Sequence, residues 1–366
     1  MTAKPARLQS LDALRGFDMF WIIGGAGLLR AIAEWTGSEP LIASVEANTR
    51  HTPWVGMTPW DLIFPLFVFM SGITMPYAIS SKLEKGGSKK DAWKRLISRM
   101  AWLILIGFSF SMFKFDPAEF KPSTVLSLIG VSYLIAGAIV IHRPVRAQLM
   151  WAVGILVGYW LAFYVIPVPM HGAGVVTPVG NIASFLDQNL TPGKMHMGIF
   201  DPEGTIRVLP AAAMALLGAV TGHYLRSNAS PTMRNVGVLV VSGVLLVGLG
   251  LLWSLFFPII KPLWSSSYIV FSAGWSLLLL AVFYLIIDVW QQRWFGFLFL
   301  PLGMNSITIY AAVHYVDFEY TAKFFFFGAG SLIGPDTAKV FVAAGVLIIE
   351  WLLLYFLYRR RIFLKV

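Results

Sequence analysis

Residues 235–258 read NVGVLVVSGVLLVGLGLLWSLFFP and contain no charged side chain. A helix of this length rises about 36 Å, which is enough to cross the roughly 30 Å hydrocarbon core of a bilayer. The chain holds nine further apolar runs of this kind, at 13–33, 58–80, 97–114, 122–141, 148–168, 207–225, 267–289, 294–316 and 338–358. Because a spanning segment must satisfy its backbone hydrogen bonds internally, the sequence predicts an all-α, polytopic integral membrane helical bundle of about ten transmembrane helices.

The composition of the whole chain agrees with this fold class. Of its 366 residues, 57% are hydrophobic and 13% are charged, whereas soluble domains average roughly 45–50% and 25%. These proportions exclude a soluble enzyme and a disordered chain. The absence of cysteine excludes disulfides, Fe–S clusters, zinc–thiolate sites and a cysteine nucleophile. With no internal repeat and no separate soluble segment, residues 1–366 are interpreted as one membrane domain.

The distribution of basic residues predicts an orientation. The chain carries 28 Lys and Arg against 18 Asp and Glu, a formal charge of +10. With the N-terminus placed in the cytoplasm, 19 of the 28 basic residues fall on the cytoplasmic side. The positive-inside rule therefore favours both termini in the cytoplasm, and the net charge requires no nucleic acid to explain it. Two long outer loops remain, 34–57 and 167–206, and loops of that length commonly have a function.

The first candidate site lies at the entrance of the second predicted span, where residues 51–65 read HTPWVGMTPWDLIFP. The prolines and the glycine of this segment favour a compact turn that brings His51 and Asp61 together. A carboxylate beside an imidazole orients the ring and raises its basicity, as general-base chemistry requires. The alternative is an interfacial histidine among membrane-belt tryptophans, with Asp61 as a helix N-cap.

Three further groups of polar residues lie at the edges of predicted spans. Arg7 and Arg15, near the start of the first span, can hold a phosphate, although an ion pair between Asp12 and Arg15 is an equally good interpretation. The stretch Asp-Pro-Glu-Gly at 201–204 offers two carboxylates for an amine or sugar hydroxyls, or simply a well-formed helix start.

The third group comprises Lys261, Trp264 and Asn305. Lys261 either faces a ligand or extends its charge to the membrane surface. Asn305 is expected to bond between helices more readily than to substrate. The six histidines lack the spacing of metal ligands, so no metal is assigned. The sequence also contains no phosphate-binding loop.

Taken in this order, the segments resemble a known family, the transmembrane acetyltransferases related to heparan-alpha-glucosaminide N-acetyltransferase, including bacterial members. The spacing from His51 to Asp61 and its order relative to the Asp-Pro-Glu-Gly stretch are the specific features. The matching segments are RLQSLDALRG at 7–16, HxxWxGxTxxDLIFP at 51–65, DPEG at 201–204, KPLWSSS at 261–267 and GMNS at 303–306.

The resemblance implies transfer of an acetyl group from cytosolic acetyl-CoA to the amino group of a glucosamine-type sugar on the outer face. The key histidine of the family falls on His51, which acts as a base or carries the acetyl group transiently, with Asp61 orienting it. It further implies a homodimer in a bacterial inner (cytoplasmic) membrane. The remaining roles expected are contacts to acetyl-CoA from Arg7, Asp12 and Arg15, and substrate contacts from Asp187, Asp201, Glu203, Lys261, Trp264 and Asn305.

The chain departs from the family at two places. Residues 24–27 read GGAG where better-studied members carry an asparagine, and residues 205–208 read TIRV where many relatives have a small hydroxyl pair. The acceptor is therefore less well defined than the reaction type. A competing interpretation is a proton-coupled transporter of an amino sugar or another small organic solute, with His51 and Asp61 as the proton relay. A third interpretation is a scaffold protein in which the polar groups only hold the helices together.

Overall fold

A computed structural model of the chain describes residues 8–112, 121, 123–191, 193–195 and 197–364. Over these residues the secondary structure is helical and contains no β-strand. The main helices are α1 (Gln9–Thr36), α2 (Glu39–Asn48), α3 (Pro59–Glu84), α4 (Lys89–Met112), α5 (Val125–His142), α6 (Val145–Val165), α7 (Ile182–Leu190), α8 (Thr205–Ser227), α9 (Met233–Ser254), α10 (Ser266–Val289), α11 (Arg293–Met304), α12 (Ser306–Tyr315), α13 (Phe318–Ser331) and α14 (Pro335–Arg359).

The predicted polytopic helical bundle is confirmed, with a small difference in the number of spans. By length and composition, eight described helices are able to cross a membrane: α1, α3, α5, α6, α8, α9, α10 and α14. The pair α11 and α12, bent by 62°, raises this number to nine if it forms a single span. The expected span 97–114 falls on α4, which is 24 residues long. Its first three turns, 89–99, are basic, so only its second half is uniformly apolar.

The expected span 294–316 is broken, and a helix that the sequence did not predict follows it. The break falls at Asn305, and Pro301 lies within the helix before it. After α12, the Asp317 side chain accepts the amide hydrogen of Tyr320 at 2.8 Å and so starts α13. Helix α13 packs along α14, with Gly330 against Ala338. Short polar residues thus divide a stretch that hydropathy alone treats as continuous.

Close contact between α3 and α8 fixes the helix that carries Asp61. A Cβ atom at Gly72 would lie 2.0 Å from the carbonyl oxygen of Ala215, and one at Gly218 would lie 2.1 Å from that of Phe69. Only glycine permits the two backbones to approach this closely, as in other small-residue helix contacts. The start of α3 is therefore held firmly beside the loop that precedes α8.

The two ends of the bundle differ in character. At one end, here called the basic end, lie the turns 82–89, 142–145 and 227–233, where Arg226 donates to Glu84 at 2.8 Å. At the other, here called the loop end, lie the segments 37–58, 166–204 and 255–265. There the indole of Trp54 donates to the carbonyl of Val176 at 2.9 Å. This separation of charge follows the predicted orientation, in which the basic end faces the cytoplasm.

Candidate active site

Asp61, the third residue of α3, is fixed by the backbone around it. Its Oδ2 accepts hydrogen bonds from the amides of Thr58 and Thr52 at 3.1 and 3.2 Å. Thr58 occupies the N-cap position, so Asp61 completes a reciprocal capping arrangement and is not itself the N-cap. The Asp61 side chain is fully buried. Its second oxygen, Oδ1, is left to face the loop end.

The contact between His51 and Asp61 that the sequence predicts is present. His51 Nδ1 lies 2.7 Å from Asp61 Oδ1 across ten residues of chain. The His51 side chain is 58% exposed, whereas Asp61 has no exposure. A buried carboxylate thus anchors one edge of an imidazole whose other edge is accessible, which is the arrangement that a general base requires.

Lys261 joins this pair, although the sequence did not connect it with His51. Its Nζ lies 2.7 Å from His51 Nδ1 and 3.1 Å from Asp61 Oδ1. A backbone hydrogen bond of 2.8 Å from the amide of Gly56 to the carbonyl of Ile259 ties the His51 loop to the loop carrying Lys261. The three side chains form one cluster at the loop end.

The proton positions follow from donor and acceptor chemistry. A protonated Nδ1 and a lysine ammonium are both donors, so both point at the Asp61 carboxylate and not at each other. His51 Nε2 then keeps its lone pair. It lies 3.4 Å from Lys261 Nζ, beyond the usual length of a hydrogen bond. Burial lowers the pKa of the Lys261 ammonium, while the negative charge of Asp61 opposes that shift.

Two members of the cluster, His51 and Lys261, line a cavity of about 370 Å³. Its main polar lining comes from four side chains, those of His51, Glu203, Lys261 and Tyr310. Deeper in the bundle the wall is apolar, with contributions from α1, α3, α5 and α12. These apolar lining residues include Met19, Ile22, Phe64, Phe67, Ile129 and Ile307. The cavity thus places a polar site at the end of an apolar pocket within the bundle.

The Asp-Pro-Glu-Gly stretch supplies one carboxylate to the cavity, not two. Asp201 is fully buried, and its Oδ1 accepts the amide hydrogen of Glu203 at 3.0 Å. Lys121 Nζ lies 3.3 Å from Glu203 and 3.6 Å from Asp201. Burial raises the pKa of Glu203 to about 7, against the opposing charge of Lys121. The Asp201 side chain does not line the cavity, and its expected substrate contact stays a prediction.

Asp187 also differs from expectation. It is fully buried and accepts a hydrogen bond of 2.6 Å from Nη1 of Arg207, which is itself fully buried. Arg207 Nε donates to the carbonyl of Pro262 at 2.6 Å, next to Lys261. The Asp187 carboxylate is thus paired inside the protein and does not line the cavity. The pair connects the 167–206 loop to the Lys261 loop, and the substrate contact expected of Asp187 stays a prediction.

Two other residues expected to contact substrate are placed elsewhere by the fold. Trp264 is 1% exposed and packs edge-on against Phe64, with ring centroids 4.9 Å apart. Asn305 is buried at the helix break, where its Nδ2 donates to the carbonyl of Ile362 at 3.2 Å. Neither side chain lines the cavity. Asn305 thus fits the alternative of bonding between chain segments.

The residues expected to contact acetyl-CoA lie on the first turns of α1. Arg15 pairs with Asp12 at 3.3 Å, which is the alternative that the sequence offered. Asp12 contacts α11 at Gly303, far along α1 from the cavity residues Met19 and Ile22. Arg7 lies outside the described residues. The phosphate role of Arg15 stays a prediction.

The sequence did not predict three residues that lie at the candidate site: Lys121, Arg207 and Tyr310. Lys121 and Arg207 lie at the starts of the predicted spans 122–141 and 207–225. A buried cation at such a position needs a carboxylate partner, which is the signal that sequence reasoning had available. Across the described ranges, no three His, Asp or Glu side chains converge as metal ligands would.

The fold and this cluster define a multi-pass helical membrane protein with a histidine–carboxylate–lysine site at one end. The chain is 25% identical over 428 aligned residues to the human protein "Heparan-alpha-glucosaminide N-acetyltransferase", an alignment that covers 100% of this chain and 61% of that protein. The mouse protein of the same name is 24% identical over 376 residues, covering 87% of this chain and 56% of the relative. No protein-family model matches the chain.

These similarities confirm the resemblance that the motifs indicated: the chain is related to N-acetyltransferases of this kind. The chain spans less than two thirds of the length of the curated relatives it matches.

Proposed function

We propose that this protein is a membrane-embedded acetyltransferase that moves an acetyl group from acetyl-CoA to the amino group of a glucosamine-type sugar. The supporting observation is the 2.7 Å contact between His51 Nδ1 and the buried Asp61, which leaves Nε2 accessible at the cavity mouth. The named activity of the human and mouse relatives supports the same reaction class.

His51 serves as the general base. Its Nε2 accepts a proton from the acceptor amine while the amine nitrogen attacks the thioester carbonyl carbon, forming the C–N bond. When the tetrahedral intermediate collapses, the C–S bond breaks, and His51 returns the proton to the departing CoA thiolate. Asp61 holds the ring orientation and stabilises the imidazolium between these steps. No acetyl group is attached to His51 in this sequence of steps.

Lys261 stabilises the oxyanion of the intermediate. Lys261 belongs to the cluster and lines the cavity. A positive charge aimed at the developing oxyanion contributes most where water is largely excluded. Since the Lys261 side chain is 16% exposed, its charge acts in a site with little water.

Glu203 binds the acceptor. It is the carboxylate of its loop that lines the cavity, close to Tyr310. A carboxylate and a phenol offer the acceptor and donor groups that sugar hydroxyls need, which leaves the amine free to react. The buried groups Asp187, Asp201 and Arg207 hold the Glu203 and Lys261 loops in place.

The apolar part of the cavity accommodates the acyl end of the donor, which reaches it from the cytoplasmic, basic end. Under this proposal the sugar binds at the loop end, and the acetyl group crosses most of the bilayer. The protein acts as a homodimer in a bacterial inner membrane, as its family resemblance implies.

The test uses purified protein in nanodiscs with acetyl-CoA and glucosamine, and measures free thiol and N-acetylglucosamine together. We expect both products from the wild type and loss of roughly 10²- to 10⁴-fold in rate for His51→Ala. The matched control is His142→Ala, which removes an exposed histidine that contacts Trp93 at the basic end and leaves the cluster intact. A near wild-type rate in His51→Ala contradicts the proposal.

Whether His51 carries the acetyl group is tested separately. Protein is incubated with radiolabelled acetyl-CoA without acceptor and digested at neutral pH. Under the proposal no label appears on the peptide that contains His51. Label that depends on His51 and passes to glucosamine on its addition contradicts the general-base step while leaving the transferase reaction intact.

The transporter alternative draws on the broken pair α11 and α12, because discontinuous helices form substrate sites in secondary transporters. Liposomes containing the protein distinguish the two functions. Uptake of radiolabelled glucosamine driven by a pH gradient, without acetyl-CoA and without thiol release, supports transport. Thiol release without uptake supports the transferase.

A further inference from the structure

A second cavity, of about 670 Å³, lies at the basic end and has no part in the proposed reaction. It is formed by the end of α3, the turn at 87–88, residues of α4 between 91 and 102, and one residue of α5, Tyr133. We call it the basic cleft. Four of its lining side chains are cations and one, Asp91, is an anion. The cations are Lys82, Lys94, Arg95 and Arg99.

The described residues supply no counter-charge to the cations of the basic cleft. Within the described part of the chain, no carboxylate forms an ion pair with any of the four. Asp91 precedes two of them by three and four residues on α4, yet it is not within ion-pair distance of either. Convergent, unpaired cations in a concave site favour an anionic ligand.

Of the four cations, Arg99 has the most restricted environment. Its guanidinium lies 4.1 Å from the centroid of the Tyr133 ring, and its Nε is buried without a hydrogen-bond partner. This contact with the ring holds the guanidinium at the cleft, where its planar set of donors suits a bidentate acceptor. Phosphate oxygens fit that fork, and a buried unsatisfied donor favours any ligand that completes it.

The mouth of the cleft indicates where the phosphate comes from. Trp102, one of the lining residues, is 56% exposed on the apolar half of α4, and Leu105 one turn further is also exposed. Exposed apolar side chains on a helix of this bundle face hydrocarbon, and tryptophan favours the headgroup boundary. The cleft is therefore cationic at the basic end and open to the bilayer along α4. A ligand with a phosphate and an attached hydrocarbon chain matches both parts.

We propose that the basic cleft binds a phosphate ester, presented as the headgroup of an anionic phospholipid. The phosphate lies between Arg95 and Arg99, and the acyl chains leave past Trp102. Basic pockets between helices on the cytoplasmic side are suited to such headgroups. This site does not depend on the acetyl-transfer proposal, since none of its residues lines the His51 cavity.

The experiment measures binding of short-chain phosphatidylglycerol to detergent-solubilised, full-length protein, with short-chain phosphatidylcholine as the reference lipid. The double variant Arg95→Gln/Arg99→Gln is expected to bind phosphatidylglycerol about 25-fold more weakly, at about fivefold for each cation removed. Arg146→Gln, an exposed cation at the basic end outside the cleft, is the matched control and is expected to bind as the wild type does.

Because Arg99 is packed, a second variant keeps the test independent of folding. Lys82→Gln/Lys94→Gln removes two cleft cations that make no ring contact, and it is expected to show a similar loss at unchanged melting temperature. Equal loss in Arg146→Gln, or no loss in either double variant, overturns the phosphate site.

Competition identifies the source of the phosphate. Excess CoA or inorganic pyrophosphate is added to protein carrying phosphatidylglycerol, and the retained lipid is measured. Under the proposal the lipid is retained, because its chains hold it in the cleft. Displacement by CoA that is lost in Arg95→Gln/Arg99→Gln overturns the lipid assignment and gives the site to a nucleotide phosphate.

Discussion

His51 Nδ1 lies 2.7 Å from Asp61 Oδ1, and the two side chains differ sharply in exposure. The buried carboxylate is held by three hydrogen bonds from the turn before α3, which involve only Thr52 and Thr58. The position of the His51 ring is therefore fixed by the start of α3. A site built on a rigid element in this way keeps its geometry better than one built on loops alone.

Asp61→Asn is expected to slow acetyl transfer by about 10²-fold or more, because an amide neither stabilises the imidazolium nor fixes the Nδ1–H tautomer. The substrate KM values should change little, since Asp61 does not line the cavity. Steady-state kinetics with separate kcat and KM test this. Asp91→Asn, at the opposite end, is the matched control. A variant whose loss is entirely in KM would contradict an orienting role for Asp61.

Lys261→Met is expected to lower kcat by about 10²-fold, the usual effect of removing one oxyanion-stabilising donor. Lys261→Arg should recover part of the rate, because it restores the charge with altered geometry. The comparison is made at saturating acetyl-CoA in nanodiscs. Lys339→Met removes a lysine that pairs with Glu34 and Asp336 away from the cavity, and it should leave kcat unchanged. An unaltered kcat in Lys261→Met would contradict the role of Lys261 in stabilising the oxyanion.

The raised pKa of Glu203, about 7, predicts a pH dependence of acceptor affinity. Below a pH of about 7 Glu203 is largely protonated, and above it the ionised carboxylate is the stronger acceptor for the sugar hydroxyls that it is proposed to bind. The acceptor KM should therefore fall as the pH rises through this value, and Glu203→Gln should abolish that step. Initial rates between about pH 5.5 and 8.5 at several glucosamine concentrations provide the profile. If the pH-dependent fall in acceptor KM persists in Glu203→Gln, another titrating group causes it.

The same pKa has a consequence for stability. The folded value lies above the ordinary value of 4.5, so the folded state binds more protons than the unfolded state between pH 4.5 and about 7. The stability that Glu203 contributes is present below pH 4.5 and is lost as the pH rises to about 7. Melting temperatures of wild type and Glu203→Gln should thus diverge in favour of the variant as the pH increases over this window.

Arg207→Met is expected to destabilise the protein by about 3–5 kcal/mol, because it leaves the Asp187 carboxylate buried and unpaired. It should also lower the acetyl-transfer rate, since the Pro262 carbonyl loses its donor beside Lys261. The double variant Arg207→Met/Asp187→Leu removes both charges and should recover much of the melting temperature. Recovery of stability without recovery of rate is the expected signature of a positioning role. Full recovery of both the melting temperature and the rate would show that the Arg207–Asp187 pair contributes only to stability.

The sequence predicted the architecture and one contact of the site. Apolar runs near the length of a bilayer crossing indicated the helical bundle. They missed the break at Asn305, because a single polar residue barely changes average hydropathy, and they missed α13, which follows Asp317. The His51–Asp61 contact was predictable, since the turn residues between them act locally. Asp187, Asp201 and Trp264 were expected to face the substrate and are buried behind the cavity wall, because residue type does not reveal on which side of a loop a side chain packs.

The amino-acid sequence by itself determined that the chain is a multi-pass helical bundle and how its charge is divided between two ends, and it favoured a contact between His51 and Asp61 at the start of α3. These features depend on composition and on interactions between residues close in the chain. Only the tertiary structure decided that Lys261, 210 residues from His51, completes the cluster, and that Arg207 is buried between Asp187 and Pro262. Such contacts depend on how helices pack and loops pair, and the free energy that selects them is spread over the whole bundle.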